Sequence, residues 1–489
     1  MPAWLSELVW IVVLLAAVGL VMARLPKIEL GHSPAFLARR RWNWLPLGLT
    51  YAFLYMGRYN LTVAKSAFEN LPAIGGGSMM GNNAFGLIFG VGTVVYGFSF
   101  VLNGPLTDRL GGRFSILAGA LGAALANIAM GLVTWSLLKS GPGSAWFAAH
   151  FVPLFAVLYA VNMYFQSFGA VAIVKVNAAW FHVRERGVFG AIFGILISLG
   201  IYFAYDWGNL ILKHAGLIWV FFVPAFVLLA FWVIDVLRVR DTPGEAGLTN
   251  IVLGDATDGE TGPRLHPGRV FQMMLRDPII MTIAGIEFYS GFLRQAIMQW
   301  FRIFAKQTDG ALGLKSSLVY EHWGLLLCIA GITGGVVAGT ISDHLFQSRR
   351  GPVAGFLYGL LLLGSVAMIF LYPTPFVGWL VVLLSMAVIG VHGMLSGTAS
   401  MDFGGARNAG VAVGLIDGFV YLGTAAMSFT YARVLPREQL DAAGHIVGPA
   451  TEPANWLAWP LAMVPLAAVG FLLALRVWNA KPRPGARAH

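Results

Sequence analysis

Apolar runs of about twenty residues, separated by shorter polar segments, repeat along almost the whole chain. A helix of that length rises about 30 Å, which matches the hydrocarbon core of a bilayer. The first run extends from Leu8 to Met22. Twelve more follow, at about 44–65, 83–104, 114–135, 146–172, 187–212, 217–237, 279–304, 318–338, 352–372, 377–400, 409–431 and 456–477. The pattern predicts an all-α polytopic membrane protein with twelve core helices and one extra N-terminal helix.

A single long polar stretch interrupts this pattern near the middle of the chain. It is rich in Gly, Pro, Asp and Thr and shows no apolar period, which is typical of a linker. We therefore expect an anchor helix with its connection, a six-helix half, a cytoplasmic linker, a second six-helix half and a cytoplasmic tail. The corresponding ranges are 1–43, 44–238, 239–278, 279–477 and 478–489.

The charged residues are few and unevenly distributed. Only 11% of the residues are charged against 58% hydrophobic, a composition far from that of a soluble domain. Most Lys and Arg residues lie in alternate connecting segments, so the net charge of +10 follows the positive-inside rule and does not indicate a nucleic-acid partner. Glu7 precedes the first run and Arg24 to Arg41 follow it. This order predicts an uncleaved anchor, an external N-terminus and a cytoplasmic C-terminus in a bacterial inner membrane.

The motifs of enzymes and metal sites do not occur in the chain. Cys328 is the only cysteine, and CxxC, HExxH and Walker-type segments are missing. We expect no catalytic residues, no metal and no cofactor. The expected partners are the lipid bilayer, a small anionic substrate and inorganic phosphate, and we expect the protein to be monomeric.

Two related loops indicate an internal repeat. GPLTDRLGGRF at 104–114 is echoed by GTISDHLFQSRRG at 339–351, with the same separation between Gly104 and Gly339 as between Asp108 and Asp343. The first loop is similar to the signature of the major facilitator superfamily, which implies two halves of six helices with a site between them. The resemblance assigns a gating role to Gly104, Asp108, Arg109, Arg113, Gly339 and Asp343.

An arginine lies deep in the first helix of each predicted half. Arg58 is about 20 Å from the start of its run, where an unpaired charge is costly, and Arg294 lies at the matching place in the second half. Tyr51 and Tyr55 share the helical face of Arg58. Two guanidinium groups across one cavity favour a dianion between them, because arginine offers bidentate contacts to phosphate. The alternative is that Arg58 pairs with a buried carboxylate and only holds helices together.

Several segments carry a more specific resemblance. They are Tyr51-x-x-x-Tyr55-x-x-Arg58-x-Asn60, Tyr96-Gly97-Phe98-Ser99, Phe165-Gln166, Arg184-Glu185-Arg186-Gly187, Arg294 with Trp300, and Tyr421-Leu422-Gly423. Together they resemble the organophosphate:phosphate antiporters, which include glycerol-3-phosphate and hexose-6-phosphate transporters. The resemblance implies that Arg58 and Arg294 clamp the phosphate. It adds Tyr51, Tyr55, Asn60, Tyr96 and Tyr421 to the substrate site.

The chain departs from that family pattern at three places, one of which is an aromatic pair near the fourth helix that this sequence does not reproduce. Ile197 and Phe100 stand where glycerol-3-phosphate members carry a His and a Lys. Glu287 and Asp417 are intramembrane carboxylates that could carry a proton, whereas His392 is interpreted as a hydrogen-bonded core residue. Lys175 is interpreted as a residue that snorkels to the cytoplasmic surface.

These observations favour a secondary transporter that exchanges a phosphorylated organic anion for inorganic phosphate by alternating access. One alternative is a proton-coupled symporter of a carboxylate or sugar acid, which would use Glu287 or Asp417. Another is a sensor of the same fold that binds a sugar phosphate without transporting it.

Overall fold

The computed structural model describes residues 12, 16, 19, 30–74, 76–182, 185–253, 267–341, 345–346, 350–395, 400–441 and 443–479. The predicted anchor helix from Leu8 to Met22 lies almost wholly outside the described residues, and so does Asp343.

The first six core helices follow one another with short connections, and we call them the N-half. The fifth continues through one π-helical turn, Phe203–Trp207, into Gly208–His214. The helices are α1 Pro34–Phe68, α2 Asn82–Leu110, α3 Gly112–Leu138, α4 Phe151–Trp180, α5 Arg186–Tyr202 and α6 Trp219–Arg238.

The remaining six core helices form the C-half. The first of them continues after Gln299 into Trp300–Gln307, and a two-residue hairpin of β1 Gln439–Leu440 and β2 Ile446–Val447 precedes the last. The helices are α7 Pro278–Met298, α8 Trp323–Thr340, α9 Arg350–Leu371, α10 Val377–Met394, α11 Ser400–Val434 and α12 Ala458–Arg476.

The described helices confirm an all-α polytopic architecture. Nine helices within the described ranges are long and apolar enough to cross a membrane. They do not include α1 and α7, the two helices that carry Arg58 and Arg294. Both of these are largely buried by their neighbours, so their polar side chains face protein rather than lipid.

The starts of α1 and α7 are encoded in the same way. Ser33 and Asp277 accept hydrogen bonds from the first free backbone amides, and each is followed by a proline at the first helical position. A polar cap followed by proline is a strong signal for a helix N-terminus. Because α1 begins at Pro34, it starts well before the predicted boundary at residue 44.

The linker contains one element that its sequence did not suggest. Pro267–Arg276 is helical, and Val270 and Met274 on one face pack against Ala412 and Leu415 of α11. The prediction of a linker without an apolar period was therefore wrong for this stretch. A helix of ten residues offers too few positions for a period to stand out in the sequence.

The two halves meet along α2 and α11 and along α5 and α8. Gly97 and Gly418 allow the first of these pairs to approach closely. A Cβ added at Gly97 would lie 3.0 Å from the Gly418 carbonyl oxygen, and one at Gly418 would lie 3.1 Å from the Gly97 carbonyl oxygen. Larger side chains at these two positions would push the halves apart.

A buried group of charges joins the halves where α1 ends and α2 begins. Glu69 pairs with Lys65 at 2.5 Å and with Lys306 of the other half at 2.5 Å, and Lys65 also pairs with Glu438 at 3.4 Å. We call Lys65, Glu69, Lys306 and Glu438 the ionic cluster. Three of these side chains are almost completely buried, so each charge depends on its partners.

Two carboxylates cap helices of the opposite half at this end. Glu438, after α11, accepts from the Asn82 amide at the start of α2 at 2.9 Å. Asp206, in the π-helical turn of α5, accepts from the Gly324 and Leu325 amides at the start of α8 at 2.7 and 2.8 Å. Since α5 and α2 correspond to α11 and α8 in a six-helix repeat, the two caps are related by the pseudo-symmetry of the fold.

Candidate substrate site between the halves

Arg58 lies at the centre of an aromatic and amide environment and is completely buried. Its Nη1 donates to the Tyr421 hydroxyl at 3.0 Å, and its Nε and Nη2 donate to Gln166 Oε1 at 3.4 and 3.3 Å. Its Cζ lies 4.5 Å from the ring centre of Tyr55 and 4.6 Å from that of Tyr96. These acceptors are an amide and a phenol rather than a carboxylate, so they do not neutralise the positive charge of the guanidinium.

Helix α4 fixes the part of α1 that carries Arg58. Tyr159 donates to the Arg58 carbonyl at 3.0 Å, Asn162 to the Gly57 carbonyl at 2.9 Å, and Gln166 to the Leu54 carbonyl at 2.9 Å. These three side chains share one face of α4 because they recur every three to four residues. This face of α4 therefore fixes the position of the α1 backbone at Arg58.

Arg294 of α7 has a different environment, although it is nearly as buried. Among the described residues, neither its Nε nor its Nη2 has a hydrogen-bond partner. Buried charged donors without partners are costly and uncommon in native proteins. These two atoms are therefore available to an anion.

Tyr421 of α11 brings the two arginines together. Its ring centre lies 5.8 Å from the Cζ of Arg58 and 5.9 Å from the Cζ of Arg294. Two like charges that share one phenol ring repel each other, and a bound anion would relieve that repulsion. We call Arg58, Arg294 and Tyr421, with Tyr55 and Tyr96, the arginine site.

The other predicted tyrosines line the same region. The Tyr51 hydroxyl lies 3.5 Å from the Tyr55 hydroxyl, and the two rings meet edge to face. Tyr96 meets Tyr421 at a centroid distance of 4.1 Å. Phe100, at the position of the family's lysine, stacks on Tyr421 at 5.6 Å. The wall of the site is therefore largely aromatic.

Asn60 is the predicted site residue that the structure does not bring to the arginine site. Its Nδ2 donates to Asn127 Oδ1 at 2.6 Å and to the Val220 carbonyl at 3.3 Å, inside the N-half. Being two residues past Arg58, it lies on another face of α1. Its contacts connect α1 with α3 and α6.

Sequence reasoning missed a direct contact between α1 and α7. Gln295 donates to the Tyr59 hydroxyl at 2.8 Å, and Thr62 donates to Gln299. Tyr59 and Gln295 each follow one of the two arginines, so the repeat that relates Arg58 to Arg294 could have indicated the pair. These contacts hold the two arginine-bearing helices against each other.

The C-half also contains a buried acid–histidine pair. Glu287 Oε2 lies 2.9 Å from His392 Nδ1 of α10, and Glu287 is fully buried. The interpretation of His392 as a hydrogen-bonded core residue agrees with this contact. Asp417 is buried on α11 and acts electrostatically on His392.

The predicted gating residues are only partly described. Gly104 lies buried in α2 and Gly339 lies near the end of α8, whereas Asp343 falls outside the described residues. Asp108 pairs with Lys175 of α4 at 2.6 Å, so Lys175 does not simply snorkel to the surface. Arg109 is exposed.

Arg113 anchors the start of α3 to the linker. Its backbone amide donates to Asp241 Oδ1 at 2.7 Å, and its Nη2 donates to the Val236 carbonyl at 2.8 Å. Burial raises the pKa of the Asp241 carboxyl above its ordinary value, and the hydrogen bond that it accepts from the Arg113 amide partly opposes this rise. The linker is thereby fixed to the signature loop between α2 and α3.

The comparison with protein families agrees with this architecture. The Major Facilitator Superfamily matches residues 47–428, from α1 to α11. The chain belongs to this superfamily. It is therefore a multi-pass protein of the lipid bilayer, and the pairing of α2 with α11 and of α5 with α8 is the contact between the halves of a major facilitator fold.

The relatives that resemble this chain belong to one branch of the superfamily. The glycerol-3-phosphate transporter of Bacillus subtilis is 28% identical over 70% of this chain and 76% of its own. A probable hexose phosphate transport protein of Chlamydia trachomatis is 22% identical over 88% of this chain and 89% of its own. The membrane sensor protein UhpC of Escherichia coli is 26% identical over 81% and 86%. These relatives confirm the resemblance to the organophosphate:phosphate antiporters.

Proposed function

We propose that this protein is a secondary active transporter of a bacterial inner membrane that exchanges a phosphorylated organic anion for inorganic phosphate. The substrate binds between the two halves at the arginine site. The halves then rock around it to expose the site to one side of the membrane or the other.

The observation that carries this proposal is that Arg294, opposite Arg58, has two buried guanidinium nitrogens without a hydrogen-bond partner among the described residues. A phosphate group is an anion with tetrahedrally arranged oxygens, and the planar guanidinium of each arginine can bind two of these oxygens at once. Without it, two like charges remain in a buried aromatic site, where low dielectric strengthens their repulsion. The empty carrier therefore interconverts slowly, and the loaded carrier interconverts quickly, which is the basis of exchange.

The relatives support a phosphorylated substrate, and Phe100 bears on its organic part. This residue places a ring on Tyr421 where glycerol-3-phosphate members have a lysine. We infer that this wall contacts the organic part by shape and stacking rather than by charge.

The test is the uptake of labelled phosphate into proteoliposomes. Vesicles loaded with phosphate should take up label rapidly with or without a proton gradient, whereas empty vesicles should take up little. Arg58→Lys and Arg294→Lys should abolish uptake, and Arg437→Lys, at an exposed position, should not. Uptake into empty vesicles that requires external acid and is lost in Asp417→Asn would contradict exchange and favour a symporter.

A sensor is the second candidate, because UhpC aligns with most of this chain. A sensor would bind the phosphate compound at the arginine site but would not move it. Binding of phosphate by the purified protein, together with no uptake into loaded or empty vesicles, would favour this alternative.

A further inference from the structure

Glu287 is a buried carboxylate that is only half satisfied. It lies two helical turns before Arg294 on α7, and its Oε2 is 2.9 Å from His392 Nδ1. In the described part of the chain its Oε1 has no hydrogen-bond partner. A carboxylate without exposure to water needs a nearby positive charge or a proton.

The charged and titratable groups around this pair come from several helices. Arg294 of α7 acts on both Glu287 and His392, and Asp417 of α11 acts on His392. Tyr358 of α9 donates to the Ile286 carbonyl at 2.6 Å, next to Glu287. Helix α12, which also packs against α7, has no titratable residue between Ala458 and Leu475. Among the described residues, Arg294 is therefore the cation that partly offsets the cost of burying an ionised Glu287.

The charge balance of this region changes when an anion binds. While the site is empty, the positive charge of Arg294 favours the ionised carboxylate and opposes a second positive charge on His392. An anion held by Arg294 cancels that influence, and the buried carboxylate then lacks a compensating charge. The least costly compensation is a proton on the imidazole, which becomes an imidazolium paired with the carboxylate.

We propose that Glu287 and His392 form a proton-binding site that takes up a proton when an anion binds at Arg294. This inference rests on the anion site proposed above. The proton comes from water and adds to His392 Nε2, the ring nitrogen that does not face Glu287, and it leaves when the anion dissociates. Linkage requires that the anion and the proton strengthen each other's binding equally.

With this site the carrier could bind a phosphate compound either as a monoanion or as a dianion. A dianion that binds with a proton carries the same net charge as a monoanion that binds alone. Exchange of two phosphate compounds could then proceed without net movement of charge, even if the two differ in ionisation. Exchange of phosphate for phosphate would still ignore a proton gradient, since each crossing carries the same proton.

The experiment counts protons during binding. Calorimetric titration of the full-length protein with inorganic phosphate, at one pH in two buffers of different ionisation enthalpy, gives the number of protons taken up per phosphate. Because phosphate contributes protons according to the ionisation state in which it binds, the titrations are repeated at pH values on both sides of its second pKa. Glu287→Gln and His392→Asn should each lower the number by up to about one proton and flatten the pH dependence of the phosphate Kd. Asp235→Asn, a buried carboxylate that binds Thr50 in the N-half, is the matched control and should change neither.

Each result bears on one of the two proposals. An unchanged proton number in both variants overturns the proton site and leaves the anion site standing. Loss of phosphate binding at every pH in both variants makes the pair structural and also overturns the proton site. A parent protein that binds no phosphate would instead overturn the proposed function.

Discussion

The two halves carry an arginine at equivalent places, but they hold it differently. In the N-half, Arg58 has three of its nitrogens bonded to Gln166 and Tyr421. In the C-half, Arg294 has two buried nitrogens without a partner among the described residues, and only Tyr421 provides a ring within the same range. The two repeats have kept the arginine, but they have not kept the hydrogen-bond partners that hold it. We infer that Arg58 is a fixed part of the site and Arg294 is the part that a substrate completes.

The difference originates in the helices that pack on α1 and α7. Three donors of α4 bind backbone carbonyls of α1, and Gln166 also reaches Arg58. The corresponding helix of the C-half, α10, instead directs His392 at Glu287. One half has an amide scaffold that does not titrate, and the other has a pair that can take up a proton. We infer that divergence of the two repeats has assigned rigid binding to the N-half and charge adjustment to the C-half.

The largest expected effect comes from replacing each arginine by lysine. Either Arg294→Lys or Arg58→Lys should weaken phosphate binding by roughly 100-fold or more, because about 3 kcal/mol of charged hydrogen bonding is lost. Only Arg58→Lys should also lower the melting temperature, since Arg58 has hydrogen bonds to Gln166 and Tyr421, whereas Arg294 Nε and Nη2 have no partner among the described residues. Phosphate titration and thermal unfolding in detergent measure the two effects. An equal fall in melting temperature for both would mean that the two halves do not differ as described.

Much of this architecture could be predicted from the sequence. Apolar runs define most of the helices, and the repeat offset pairs Arg58 with Arg294 before any coordinates are known. The start of α1 was placed too late, because Arg39, Arg40 and Arg41 interrupt the apolar pattern although Ser33 and Pro34 encode the helix start. Hydropathy indicates which part of a helix contacts lipid, whereas a capping residue indicates where the helix begins.

The contacts across the halves could not be predicted in the same way. Lys65, Glu69 and Lys306 lie near helix ends, where charges are usually solvated, and only the packing of the halves buries them. Asp206 lies in a π-helical turn, and a single such turn does not change the hydrophobic pattern enough to be recognised in the sequence. The pairing of Glu287 with His392 joins helices far apart in the chain. Such contacts depend on tertiary distances, which one sequence does not contain.

A smaller effect should follow from removing the hydroxyl that Arg58 uses. Tyr421→Phe keeps the ring beside both arginines and leaves Arg58 Nη1 without its acceptor. Leaving a buried donor unpaired should cost about 1–3 kcal/mol of stability. Phosphate should recover part of that loss, because it offers the free donor a new acceptor. The rise in melting temperature on adding phosphate should therefore be larger in Tyr421→Phe than in the parent.

The control for this prediction is Tyr358→Phe. Tyr358 donates to a backbone carbonyl of α7 in the C-half and does not contact Arg58. It should lower stability similarly without increasing the response to phosphate. If both variants respond to phosphate as the parent does, Arg58 keeps its protein partners in the bound state, and only Arg294 changes partners.

The smallest expected effect concerns the two carboxylate caps, which compare the halves away from the arginine site. Asp206→Asn weakens the cap on the start of α8, and Glu438→Gln weakens the cap on the start of α2. Loss of such a cap costs about 1 kcal/mol, so the start of α8 should exchange its amide hydrogens about five-fold faster in Asp206→Asn. Glu438→Gln also removes a buried charge that pairs with Lys65, so the start of α2 should exchange at least as much faster in that variant. Hydrogen exchange read by mass spectrometry at the peptides that contain Asn82 and Gly324 measures this.

The pattern of exchange distinguishes two ways in which this end of the molecule can open. If the halves separate as rigid bodies, weakening either cap makes opening easier for both, and both peptides exchange faster in each variant. If each cap holds only its own helix start, each substitution affects one peptide. We expect the first result, because the ionic cluster and the Tyr59–Gln295 contact join the same two bodies between the caps. Ser317→Ala, which removes a cap inside the C-half, should increase exchange only near Tyr320.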